Sequence, residues 1–78
     1  MRTVKINLGS IPRVHDFVNT IALFDGDFDL ISGRYVIDAK SIMGIFSLDL
    51  SKPVDLAIHS DQEADKVIEA LAPYIIEQ

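Results

Sequence analysis

Apolar residues alternate with polar ones over Val4, Ile6 and Leu8; past Gly9-Ser10 they recur at spacings of three and four through Ile11, Val14, Phe17, Val18, Ile21 and Ala22. A period of two puts every second side chain on one face of a strand, whereas spacings of three and four line one face of a helix. This change of period restricts the fold more than any other feature. Each segment has one apolar face, and each must bury it against another segment. Ser10 is placed to cap the helix, and Pro12 fits its first turn, where no helical bond from its nitrogen is needed.

The same reading carries along the chain. Asp25-Gly26 stops the helix, Phe28 and Leu30 alternate with Asp27 and Asp29 in a second strand, and Ser32-Gly33 turns into a third over Arg34 to Asp38. Ser41 opens a short second helix, Lys52-Pro53 closes the irregular stretch after it, and Val54, Leu56 and Ile58 mark a fourth strand. Ser60-x-x-Glu63 reads as a capping box for a last helix with the stripe Ala64, Val67, Ile68, Leu71 and Ile75, which Pro73 should kink or end early. The predicted class is α+β, in the order β-α-β-β-α-β-α, with helices on one side of a largely antiparallel sheet. No linker or repeat divides it, so residues 1–78 are expected to form one domain.

A chain of 78 residues buries only about 60–65% of its unfolded surface. It has no cysteine, so neither a disulfide framework nor a thiolate metal site supports it, and apolar burial must. Seven basic against twelve acidic side chains give a net charge of −5, with no basic cluster, a field that repels nucleic acid. No apolar run approaches the length of a membrane span, and no secretory signal is present, so the expected location is the cytoplasm. Asp25, Asp27 and Asp29 lack the glycine-centred loop of a calcium site and read as solvated edge charges. No nucleophile elbow, phosphate-cradling loop or histidine metal motif occurs, so neither enzymatic activity nor a cofactor is expected.

One stretch is more specific. Lys40-Ser41-Ile42-Met43-Gly44-Ile45-Phe46-Ser47-Leu48, after Asp38-Ala39, closely resembles the segment around the regulatory serine of the HPr family, the histidine-bearing phosphocarriers of the bacterial sugar phosphotransferase system. The likeness runs without a gap from about Phe17 to Leu71. It implies an HPr-like open-faced β-sandwich, a four-stranded antiparallel sheet of order 1-4-2-3 with three helices on one face. In that family a Gly-Leu/Ile-His-Thr/Ala-Arg-Pro-Ala motif joins the first strand to the first helix, and its histidine carries the phosphate. The corresponding stretch here is Leu8-Gly9-Ser10-Ile11-Pro12-Arg13-Val14. Ser10 stands at the histidine position, or Ile11 after a one-residue slip. Serine forms a stable phosphate ester, unlike the transferable phosphoramidate of histidine, so a member without histidine relay is expected.

His15 is the substitute candidate. Moving it to the motif position would pull Phe17 and Val18 out of their matching places, and it reads as a surface or boundary residue about 100° around the helix from Val14. His59 lies on the outward parity of the fourth strand. The resemblance further implies that Ser41 accepts phosphate from a dedicated HPr kinase with Lys40 as electrostatic support. It also implies that Ile42, Met43 and Phe46 dock a catabolite-control regulator or a metabolic enzyme, while Ile45 and Leu48 turn inward. Ser41 equally suits a plain helix cap. The function expected is that of a regulatory or adaptor protein of the phosphotransferase network, acting by protein binding. The alternatives are a phosphocarrier working from His15 and an unphosphorylated scaffold subunit.

Overall fold

The opening period-two run forms β1 (Arg2–Ile6), and the stripe behind it forms α1 (Ile11–Ile21), in a computed structural model that describes residues 1–77. Gln78, the last residue of the expected domain, lies outside the described residues. There follow β2 (Phe28–Ser32), β3 (Tyr35–Asp38), α2 (Ile42–Phe46), β4 (Val54–Ile58), α3 (Ala64–Ala70), a 3-10 turn at Ala72–Tyr74 and β5 (Ile75–Glu77). All strand pairs are antiparallel, in the order β3-β2-β4-β1-β5. The order 1-4-2-3 expected from the sequence is the first four of these, read from β1 to the β3 edge.

Four local expectations need correction. The sheet has five strands, not four, because Ile75 does not extend the last helix but pairs with Ile6 as part of β5. Pro73 is the reason. It has no N–H to continue α3, it sits in the first turn of the 3-10 segment, and the chain then runs out along the open edge of β1. Second, the Ser60–Glu63 capping box does not form: residues 61–63 make a turn, and α3 begins at Ala64 with Glu63 as a cap that makes no side-chain bond. Asp61 instead accepts a 2.7 Å bond from the Met1 ammonium, and that hydrogen bond, then the ammonium's charge, holds the Asp61 carboxyl below its ordinary pKa. Third, Ile11 and Ala22, at the two ends of α1, are exposed, and the buried stripe narrows to Val14, Phe17 and Ile21. Fourth, β1 stops at Ile6, since the Asn7 N–H turns to the Tyr74 carbonyl at 2.8 Å, although Leu8 is still buried.

The core lies between the helices and one sheet face. Val4 and Ile6 of β1, Phe28 and Leu30 of β2, and Leu56 and Ile58 of β4 meet Val14, Phe17, Ile21, Ile45 and Val67 from the helices. Val4, Leu56 and Leu30 are directly paired across three strands, so the inward parity is continuous. Lys5, Asp55, Ile31 and Val36 form the corresponding row on the open face.

The β2–β3 turn is a two-residue loop closed by Ser32 and Tyr35, with Gly33 at φ 59 in its first position. That conformation excludes β-branched residues on backbone grounds, and nothing lies within 4 Å of where a Cβ would stand. Gly33→Val is therefore expected to cost about 1–2 kcal/mol through backbone strain alone. A urea melt of the variant, read by circular dichroism, measures it.

Candidate functional site

The start of α1 and the whole of α2 carry the residues singled out in the sequence. Ser10 is the N-cap of α1: it is extended (φ −151, ψ 162), and its hydroxyl accepts the Arg13 N–H at 3.4 Å. The Arg13 guanidinium donates to the carbonyls of Leu8 at 3.0 Å, Asn7 at 3.0 Å and Pro73 at 3.2 Å, and lies 4.7 Å from the centre of the Tyr74 ring. Burial pushes the Tyr74 phenol up from its ordinary pKa, Asp16 adds to the rise and Arg13 opposes it.

His15 lies on the next turn, exposed, with its ring edge-on to Phe46 of α2 at 6.0 Å between centroids. His59 is remote from this junction. Its Nε2 meets Asp29 at 2.7 Å on the open side of the sheet, in a shallow hollow shared with Asp27 and Asp38. Asp25 is exposed in the loop before β2. Among the described residues no group of three or more His, Cys, Asp or Glu side chains is arranged to hold a metal ion.

Ser41 caps α2 from an extended backbone, its Oγ accepting the Gly44 N–H at 3.3 Å. Gly44 permits this closeness: a Cβ there would come within 3.2 Å of the Ser41 Oγ and 3.6 Å of Ile37 on β3. Helical spacing then divides α2. Ile45 is buried, Ile42 and Leu48 pack at the core's margin, Met43 is 77% exposed and Phe46 is 36% exposed. Met43 and Phe46, three residues apart, are the exposed apolar residues of α2, Phe46 meets His15 at the α1–α2 junction, and Ser41 lies at the opposite end of the same helix.

Lys40 is adjacent to Ser41 in sequence but directs its ammonium elsewhere. The Nζ donates to the carbonyls of Phe24 at 2.8 Å and Gly26 at 3.4 Å, and stands 5.5 Å from the centre of the Phe28 ring. Electrostatic support of a phosphate on Ser41 would compete with these bonds. Two surface features escaped the sequence reading: Ile11, 61% exposed at the start of α1, and the main-chain role of Arg13. The position of Ile11 in the first helical turn, beyond the last inward residue of β1, was the available sign.

A protein-family model described as "PTS HPr component phosphorylation site" matches residues 13–77. The matched span holds Arg13, both histidines and Ser41, and leaves Ser10 and Ile11 outside it. No curated protein matches the chain. Among solved structures it is similar to HPr-C-His from Thermoanaerobacter tengcongensis, with 29% identity over 94% of this chain and 89% of that one, at a TM-score of 0.78. It is also similar to the phosphocarrier protein HPr from Bacillus anthracis str. Ames, with 26% identity over 96% of this chain and 94% of that one, at a TM-score of 0.75. Among the described residues no helix is long and apolar enough to cross a membrane.

Proposed function

The chain belongs to the HPr family of the phosphotransferase system, and from that premise we propose that it is a regulatory or adaptor member, acting in the cytoplasm by binding other proteins and not as an enzyme. In this reading Ser41 accepts phosphate from an HPr kinase. Met43 and Phe46, with the margin of Ile42, contact a catabolite-control regulator or a metabolic enzyme, and no histidine relay operates. The observation that carries it is the outward turn of Met43, 77% exposed, on the same short helix as Phe46 and two residues after a serine whose hydroxyl is held by a single long bond. A thioether left in water adds nothing to the core, Phe46 is still 36% exposed, and such residues commonly anchor interfaces.

A phosphate on Ser41 adds about −1.5 to −2 charge at the first turn of α2. The hydroxyl is exposed, so the group enters without displacing core residues. The modification then changes what the surface binds while the fold persists. Ser10 supports the loss of relay, since its hydroxyl caps α1 where the aligned family motif has its histidine.

Intact mass after incubation with ATP and an HPr kinase tests the acceptor: one phosphate on the parent and none on Ser41→Ala is the expected result. Met43→Asp should weaken capture of the cognate partner by about tenfold or more with an unchanged melting curve. Binding indifferent both to phosphorylation and to Met43→Asp would sink the proposal. A second reading rests on the exposure of His15 and its contact with Phe46: a phosphocarrier using that imidazole. It predicts acid-labile phosphate after incubation with phosphoenolpyruvate and the system's first enzyme, absent from His15→Ala.

A further inference from the structure

Three of the seven basic side chains of this acidic chain line one hollow. It lies at the end of the sheet, where the β2–β3 turn meets the connection from α2 to β4, and has a volume of about 710 Å³. Small-molecule sites commonly measure about 300–1,000 Å³. Arg34 comes from the turn, Lys52 from the connection and Lys5 from β1. Arg2, Arg13 and Lys40, by contrast, are engaged, the first with Asp65 and the other two with main-chain carbonyls. Arg34 and Lys52 make no ion pair among the described residues.

Two carboxylates share the lining. Asp55 stands directly across from Lys5 in the β1–β4 ladder, with Ile31 on its other side. Asp49 accepts the Ser51 hydroxyl and, at 3.1 Å, the Ser51 amide N–H, both through Oδ1. Those bonds, the hydroxyl's first, and then the charge of Lys52 hold the Asp49 carboxyl below its ordinary pKa, so it is ionised at neutral pH. Its Oδ2 takes no part in either bond. Tyr35, 67% exposed, adds an aromatic ring to the lining, and Leu48 and Pro53 add further apolar surface.

This mixture selects for more than charge. Lysine and arginine are the ordinary phosphate binders, and three of them suit a dianion. A bare anion would also meet Asp49 and Asp55 and be repelled by both. An ionised carboxylate only accepts hydrogen bonds, so a ligand gains from the whole lining when it carries hydroxyl donors beside its phosphate. We propose that the hollow binds a small polyhydroxylated phosphate monoester. Its phosphate is held by Lys5, Arg34 and Lys52, its hydroxyls donate to Asp49 and Asp55, and Tyr35 packs against its carbon skeleton. None of these residues belongs to the Met43 and Phe46 surface, and the site does not depend on the state of Ser41.

The three cations are exposed, so salt screens them and a dissociation constant of about 1 mM is expected. Titration of the isotope-labelled chain with glucose 6-phosphate at constant ionic strength, followed through amide NMR shifts, tests the proposal. Saturable shifts are expected over residues 32–35 and 48–55, with glucose and inorganic phosphate each binding at least about fivefold more weakly. Arg34→Glu should weaken glucose 6-phosphate by about tenfold or more. Asp55→Asn should weaken glucose 6-phosphate yet strengthen inorganic phosphate, opposite signs that a site reading charge alone does not give. Absence of saturable shifts overturns the proposal, as does an Arg34→Glu that binds like the parent or an Asp55→Asn that binds glucose 6-phosphate as tightly as the parent. Inorganic phosphate matching glucose 6-phosphate would mean an adventitious ion only, and tighter binding of phosphoethanolamine would mean that the carboxylates serve an ammonium; either overturns it. Should Asp55→Asn fail to fold, the preferences of the parent and the Arg34→Glu result still decide it.

Discussion

Phe17→Ala is expected to remove about 3–5 kcal/mol of stability, a large share of the total. A domain of 78 residues has in total only about 4–12 kcal/mol. Phe17 is fully buried in the middle of α1, and its ring meets Tyr74 edge-on at 5.9 Å. Truncation opens a cavity between α1 and the 3-10 turn, and the two elements cannot close it without dragging β5 off β1. Phe17→Leu should cost less than about 1.5 kcal/mol, since it keeps most of the volume. Met43→Ala should change stability by no more than about 0.5 kcal/mol because Met43 faces water. Urea unfolding of the three variants, with the slope checked for constancy, is the measurement. A Phe17→Ala protein as stable as Phe17→Leu would show that α1 is not fixed by this contact.

The elements that sequence reasoning placed well are those with a complete local pattern. β1, α1, the β2–β3 hairpin and β4 each announce a period, a cap or a turn glycine, and the order of the sheet follows from the family likeness those elements carry. Ile45 and Met43 of α2 separate into buried and exposed by helical spacing alone. Failures occur where a distant partner decides. The stripe through Leu71 and Ile75 obeys helical spacing, yet the open edge of β1, nearly seventy residues earlier, takes Ile75 into a strand. Ser60 and Glu63 satisfy a capping pattern, but the N-terminal ammonium draws Asp61 aside and the helix starts three residues late. Lys40 looked like a neighbour of Ser41, whereas its ammonium closes the loop after α1 through the carbonyls of Phe24 and Gly26. The pairing of His15 with Phe46 likewise depends on how α1 and α2 pack, which no single segment encodes.

Arg13→Ala is the second large effect, and it tests whether this arginine holds the fold together. In the slipped alignment Arg13 falls on the arginine of the family's phosphohistidine motif. In the fold its guanidinium joins two connections, β1 to α1 through Asn7 and Leu8, and α3 to β5 through Pro73. These are charge-assisted bonds to carbonyls, one of them partly buried, and the guanidinium also covers the Tyr74 ring. Their loss is expected to cost about 2 kcal/mol, with hydrogen exchange rising first in β5 and at Asn7. Lysine retains the charge but not the planar fork, so Arg13→Lys should recover less than half.

The same substitution has a spectroscopic sign. Arg13 favours the tyrosinate of Tyr74 against burial and Asp16, so its removal should move that phenol further up in an absorbance titration. Because the Tyr74 phenol already titrates above its ordinary value, its contribution to stability is intact below the unfolded pKa, about 10. It is lost as pH climbs through the folded value. The variant should lose that contribution at still higher pH. An Arg13→Ala protein with unchanged stability and an unchanged Tyr74 titration would show that the guanidinium does not hold the two connections together.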